Sequence, residues 1–116
     1  MLRAAKLQKR AARIGFDWPQ TNQVFDKIAE EIAELRTELD CGGDRDRLED
    51  EVGDLLFAVT NLARKLELDP EVALRRATAK FERRFRRVEA VVAEQTAVPD
   101  LEALEALWQE AKREEN

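Results

Sequence analysis

Apolar residues recur every three or four positions along five stretches of this chain, and no stretch of useful length alternates with the period of two expected of a strand. The stretches predict helices over roughly 2–13, 22–40, 45–67, 70–94 and 101–114. Gly15-Phe16-Asp17-Trp18-Pro19 closes the first, and Cys41-Gly42-Gly43-Asp44 separates the second from the third. Asp69-Pro70 sets an N-cap ahead of a proline at the first helical position, and Val98-Pro99-Asp100 repeats the device. Such short connections make neighbouring helices antiparallel. The expected fold is all-α, an antiparallel bundle of about five helices forming a single domain over residues 1–116.

Winding each stretch at about 100° per residue separates its faces. In the second helix Val24, Phe25, Ile28, Ile32, Leu35 and Leu39 form an apolar stripe, with Lys27, Glu31, Glu34 and Glu38 along one edge. The third carries Leu48, Val52, Leu55, Val59, Leu62 and Leu66, edged by Arg47, Glu51, Asp54, Asn61 and Lys65. In the fourth, Lys80, Arg84 and Arg87 flank Leu74, Ala77, Phe81, Phe85, Val88 and Val92. Residues 52–63 are apolar nearly all round, and Leu56 and Phe57 lie off the stripe, which predicts a dimer interface there. Gly53 costs this helix about 1 kcal/mol relative to alanine; a close backbone approach would account for it.

Composition narrows the chemistry. Charged residues reach 39% against a usual value of roughly 25%, yet 44% of the chain is hydrophobic, so it is a charge-rich globular sequence and not a disordered one. It contains no histidine, which excludes His-based triads and His-ligated metal centres. A single cysteine forms no internal disulfide and fits a reducing, cytoplasmic setting. No apolar run approaches a membrane span, and the chain does not open in the manner of a secretory signal. The net charge of −5 conceals an asymmetry: residues 26–54 hold twelve acids against four bases, and residues 75–87 hold seven bases against one acid. These blocks would either neutralise each other or form a site for a polyanion that arrives with divalent cations.

The acids favour the second arrangement. Glu31 and Glu34 stand at i, i+3 on one helix and Glu51 and Asp54 at i, i+3 on the next. On antiparallel neighbours the two pairs would enclose one small volume, and their mutual repulsion would be relieved by a hard, oxygen-seeking cation, Mg²⁺ or Mn²⁺. Helical glutamates commonly just face solvent, but Asp54 is an acid inside an apolar segment, and buried acids are almost never unpaired. Lys80 and Arg84, at i, i+4, suit phosphate oxygens. The acidic block argues against a nucleic-acid partner.

Glu30-Glu31-x-x-Glu34, followed after sixteen residues by Glu51-x-x-Asp54, resembles the signature of the MazG nucleoside triphosphate pyrophosphohydrolases. Arg3-Ala-Ala-Lys-Leu-Gln-Lys-Arg, Ile14-Gly-Phe-Asp-Trp, Glu51-Val-Gly-Asp-Leu-Leu-Phe-Ala, Asn61-Leu-Ala-Arg, Lys80-Phe-Glu-Arg-Arg-Phe and Trp108-Gln extend the likeness over essentially the whole chain. It is the C-terminal catalytic unit of the bacterial family, which commonly has two related units, that the chain is similar to. The resemblance implies an all-α homodimer that binds Mg²⁺ through Glu31, Glu34, Glu51 and Asp54 and cleaves an NTP or dNTP to the monophosphate and pyrophosphate. It implies nucleotide contacts from Lys27, Arg47, Lys80, Arg83, Arg84 and Trp108, and Asn61 is placed with them as a substrate contact. Two positions depart from the family pattern: Arg47 stands for a Lys, and Thr78 for an Asn. Without histidine, Glu31 or Glu34 is left to act as base. Trp18 is expected to be a packing plug rather than a stacking platform for a base. The competing expectation is a non-enzymatic helical dimer that docks a protein partner through the third helix, indifferent to Mg²⁺.

Overall fold

The computed structural model describes residues 1–97 and 99–115. Five helices follow in order: α1 (Leu2–Arg13), α2 (Thr21–Asp40), α3 (Arg45–Lys65), α4 (Pro70–Ala93) and α5 (Leu101–Glu115). No strand occurs among the described residues. The Pro99-Asp100 break is where the sequence places it, with Asp100 accepting from the Ala103 amide at 2.9 Å; Val98 lies outside the described residues. No helix among them is long and apolar enough to cross a membrane.

Local chemistry sets the helix ends. Gln23 accepts the Gln20 amide at 3.1 Å, Asp44 accepts that of Arg47 at 3.0 Å, and Asp69 accepts that of Glu71 at 2.9 Å. The first three helices close in the same way: a residue with positive φ donates back three positions while its successor donates back five, satisfying the last carbonyls. Gly15 (φ 89°) and Gly42 (φ 69°) do this for α1 and α2. Glu67, at φ 60°, does it for α3, with its own amide on the Arg64 carbonyl and that of Leu68 on Ala63. This left-handed glutamate is why α3 stops at Lys65, two residues before the periodicity suggests.

The chain divides into two compact units, Met1–Ala73 and Leu74–Asn116. In the first, α2 and α3 pack as a hairpin across the four-residue turn at Cys41–Asp44, and α1 lies on α3. Its buried apolar residues are small, Ala5, Val24 and Ala58, and they are joined by the polar Gln8, Glu31 and Thr60, the last returning its hydroxyl to the Leu56 carbonyl at 2.9 Å. Small side chains let the helix backbones approach, and Gln8 of α1 crosses the seam to donate to the Phe57 carbonyl at 2.9 Å. In the second unit Val88 and Ala111 are buried; Phe81 stacks on Phe85 and meets Trp108 in a tilted contact with ring centres 5.1 Å apart.

The apolar stripes are only partly covered. On α2, Val24 is sealed, whereas Phe25, Ile32 and Leu39 remain 52%, 40% and 57% exposed. On α3, Val52, Leu56, Val59 and Leu66 are likewise exposed. No neighbour expected against Gly53 is found among the described residues: a Cβ there would meet nothing of them within 4 Å.

Candidate metal and nucleotide site

Both i, i+3 acid pairs lie in the α2–α3 hairpin, and its register determines which carboxylates meet. Glu31 of α2 and Glu51 and Asp54 of α3 each bring an oxygen to within 4.8 Å of the others. Glu31 is 4% exposed and Glu51 half-buried, whereas Asp54, expected to be buried by its apolar neighbours, is exposed. One of the Glu31 oxygens accepts from the Lys27 ammonium at 2.9 Å, one turn earlier on α2. The other, Oε2, is buried with no hydrogen-bond partner among the described residues, and so is Oε2 of Glu51. A buried unpartnered carboxylate oxygen costs folding free energy. Two at one place, beside a third carboxylate, form a set of hard oxygen donors that fits a divalent cation. Glu34 stands outside this trio, exposed to solvent. The negative charge of Glu31 first, then lost hydration and the charge of Glu51, hold its carboxyl above the usual carboxylate range. Lys27 is held above its ordinary value, chiefly by its hydrogen bond to Glu31.

Beside the acids a pocket of about 820 Å³ opens within the first unit. Glu31 and Asp54 lie on its wall with Lys27 and Asn61; α1 contributes Leu7, Gln8 and Ala11, the following turn contributes Gly15 to Trp18, and α3 adds Phe57, Ala58 and Arg64. Trp18 therefore borders a cavity instead of plugging the core, and it is 42% exposed. A polar lattice fixes this wall. Asp17 takes Arg64 at 2.5 Å and Lys65 at 3.4 Å, and Lys65 also donates to the Trp18 carbonyl at 2.6 Å. The Arg64 guanidinium, before any other cause, holds the Asp17 carboxyl below the usual carboxylate range.

The structure thus brings Lys27, Glu31, Glu51, Asp54 and Asn61 to one place, with Glu34 next to them. Arg47 is exposed, 3.7 Å from Glu38, and is not among the residues lining the pocket. Lys80, Arg83, Arg84 and Trp108 belong to the second unit. There Arg84 binds Glu115 at 2.8 Å and lies over the Trp108 ring at 5.9 Å, while Arg83 is 3.7 Å from the same carboxylate. Sequence reasoning missed Gln8, Asp17 and Arg64 as wall residues. A faint signal existed for Arg64, three positions after Asn61 and so on the same face. Gln8, one glutamine on an alanine-rich face, gave none.

Comparison with known proteins gives the family. The MazG nucleotide pyrophosphohydrolase domain matches residues 20–89, which contain all four acids. The chain is 51% identical over 120 aligned positions to the nucleoside triphosphate pyrophosphohydrolase of Escherichia coli K12, covering 99% of this chain and 45% of that protein. It is 41% identical over 112 positions to the nucleoside triphosphate pyrophosphohydrolase/pyrophosphatase MazG of Thermotoga maritima, covering 94% and 42% respectively. It is also 42% identical over 71 positions to the uncharacterized protein YabN of Bacillus subtilis, covering 59% and 14%. The chain spans less than half the length of these relatives. With an all-α fold, a paired-helix acid cluster and a family match over more than half its residues, the chain belongs to the MazG nucleotide pyrophosphohydrolase family.

Proposed function

We propose that this chain is a divalent-cation-dependent nucleoside triphosphate pyrophosphohydrolase of the cytoplasm, serving nucleotide-pool housekeeping. It would convert an NTP or dNTP and water into the monophosphate and pyrophosphate, with the whole of residues 1–116 acting as one catalytic domain. The observation that carries this reading is the Glu31, Glu51 and Asp54 group with its two unpartnered buried oxygens, two of whose members, Glu31 and Asp54, line a pocket large enough for a nucleoside. The activity named for the Escherichia coli and Thermotoga maritima relatives supports the reaction class.

Glu31, Glu51 and Asp54 would hold Mg²⁺, or Mn²⁺ in its place. The cation supplies Lewis acidity and positive charge against the triphosphate. Water adds at phosphorus, the bond from the α-phosphorus to the bridging oxygen breaks, and pyrophosphate leaves. In a chain without histidine the water's proton passes to a carboxylate, and Glu34, beside the trio and open to solvent, is assigned that role. Lys27 borders the pocket from α2, where its ammonium, hydrogen-bonded to Glu31, would also offer positive charge to a phosphate. Arg47, Lys80, Arg83, Arg84 and Trp108 are proposed as further nucleotide contacts on the strength of the family likeness. In the present structure a phosphate would compete with Glu115 for Arg83 and Arg84.

A homodimer completes the proposal. Phe25, Ile32 and Leu39 on α2 and Val52, Leu56 and Val59 on α3 are exposed at spacings that make continuous apolar stripes, and a second copy would cover them. The deciding experiment measures pyrophosphate release from the four NTPs and four dNTPs, with Mg²⁺, with Mn²⁺ and with chelator. Cation-dependent release from at least one nucleotide is expected. Silence from all eight with both cations overturns the hydrolase reading in favour of a partner-binding dimer.

A further inference from the structure

The amide of Asn61 is held in one orientation by a neighbour that can only donate. Arg64 aims two N–H groups at the Asn61 Oδ1, from Nε at 3.0 Å and from Nη2 at 2.7 Å. A guanidinium has no acceptor, so flipping the amide would set NH₂ against N–H. Arg64 is itself fixed by Asp17, through Nη2 at 2.5 Å and Nη1 at 3.3 Å, and Asp17 also accepts from the Trp18 amide at 2.8 Å. The only polar group left on the Asn61 side chain is its NH₂, which has no partner among the described residues. Asn61 lies on the pocket wall seven residues after Asp54, nearly the same angle on α3 and about 10 Å along its axis. An extended nucleotide with its phosphates at the carboxylates would bring its base to that level. Gln8, on the same wall, is locked in the opposite sense: its NH₂ is spent on the Phe57 carbonyl, and its Oε1 is unpartnered.

We infer that Asn61 is a specificity residue of this pocket, a fixed hydrogen-bond donor that requires an acceptor, a keto oxygen or a bare ring nitrogen, on the edge of the substrate's base. Arg64 and Asp17 are positioning residues that forbid the opposite amide orientation. An asparagine free to rotate would accept either edge, whereas one clamped by a guanidinium discriminates, because a mismatched edge leaves both partners unpaired. This inference rests on the hydrolase reading above and names the group that would read the base.

The test compares kcat/KM for the eight nucleotides in the wild type, Asn61→Asp and Arg64→Lys, together with inhibition by inorganic pyrophosphate. Asn61→Asp keeps an acceptor for Arg64 but replaces the pocket-facing NH₂ with an acceptor. It should change the ratio between the best and the poorest base at least about tenfold, the effect of one lost hydrogen bond and one new mismatch. Pyrophosphate inhibition should stay within about twofold, because the phosphate end is untouched. Arg64→Lys removes the two-pronged clamp and should narrow the spread among bases. If Asn61→Asp loses helix content, Asn61→Ala, which removes the whole amide and with it the NH₂ donor, decides by the same ratios. An active wild type whose variants lose all eight substrates by one common factor, or lose nothing, overturns the role of Asn61 and leaves the hydrolase reading intact. A wild type silent on every nucleotide sinks both.

Discussion

In the Met1–Ala73 unit three carboxylates crowd within 4.8 Å and two of their oxygens have no partner among the described residues, whereas in the Leu74–Asn116 unit Arg84 and Arg87 each hold a carboxylate of α5 at 2.8 and 2.7 Å. Both regions are highly charged helix pairs of similar sequence texture. They differ in whether the charge is answered. A matched surface pair adds little and asks for nothing more. Three like charges gathered at one place, with Lys27 alone set against the buried Glu31, are a liability unless something arrives to neutralise them, so the under-neutralised cluster is the better sign of function. The contrast also shows why net charge was uninformative: the total of −5 sums a self-satisfied region and an unsatisfied one.

The sharpest way to break this comparison is to neutralise the unanswered acids. Glu51→Gln and Asp54→Asn should each reduce pyrophosphate release by about 10²-fold or more, on the scale of losing a charge-stabilising group in an active site, with helix content unchanged. In the wild type, Mg²⁺ should raise the melting midpoint. Saturation to 100 times the dissociation constant corresponds to about 2.7 kcal/mol, and both variants should lose most of that gain. Full activity in either variant, or a cation shift equal to that of the wild type, would remove the metal site from consideration.

A smaller effect separates the two regions by pH in the presence of chelator. The folded-state value of Glu34 lies above the usual carboxylate range, so its charge opposes folding near neutrality. Acidification through that raised value protonates the folded protein first and adds stability. Glu115 behaves oppositely: its carboxyl is held below the usual range, first by the Arg84 hydrogen bond. Its contribution is present above the ordinary carboxylate value and disappears as pH falls through the lowered one. Asp17, held down by Arg64, loses its contribution in the same direction. Melting curves should therefore show stability rising on mild acidification and then falling. Added Mg²⁺ should abolish the rise and spare the fall. A fall with no preceding rise would show that Glu34 is not crowded.

What could be read in advance follows a physical division. Helix spans were legible because periodicity, proline and glycine act locally; the one end that moved, at α3, depends on Glu67 taking a left-handed conformation that sequence gives little reason to expect. The acid quartet was legible because i, i+3 spacing fixes a face. Which of the four carboxylates approach one another most closely was not, since that depends on the register between α2 and α3. The pocket wall was least legible. Gln8, Asp17 and Arg64 come from three distant parts of the chain, and what matters about them is which atom of each is already bonded. Trp18 illustrates the same limit: a large aromatic beside a proline suits a core as well as a cavity rim.

The smallest expected effect tests the surface that neither unit answers. Gly53 sits in the middle of α3, between the exposed Val52 and the cluster carboxylates Glu51 and Asp54, and a Cβ added there meets nothing of the described residues within 4 Å. In an isolated chain Gly53→Ala should therefore be stabilising, by up to about 1 kcal/mol from helix propensity alone. In a dimer that brings a second backbone against this point, the same methyl group would have to be accommodated, and the gain would shrink or reverse. Measuring the melting midpoint of wild type and variant across a hundredfold range of protein concentration separates the cases. A midpoint that rises with concentration in the wild type and rises less steeply in Gly53→Ala places a second copy on α3. A concentration-independent gain in the variant leaves the exposed stripe unexplained by dimerisation. Glycine would then be merely a weak point of the helix, and its cost would have no compensating contact.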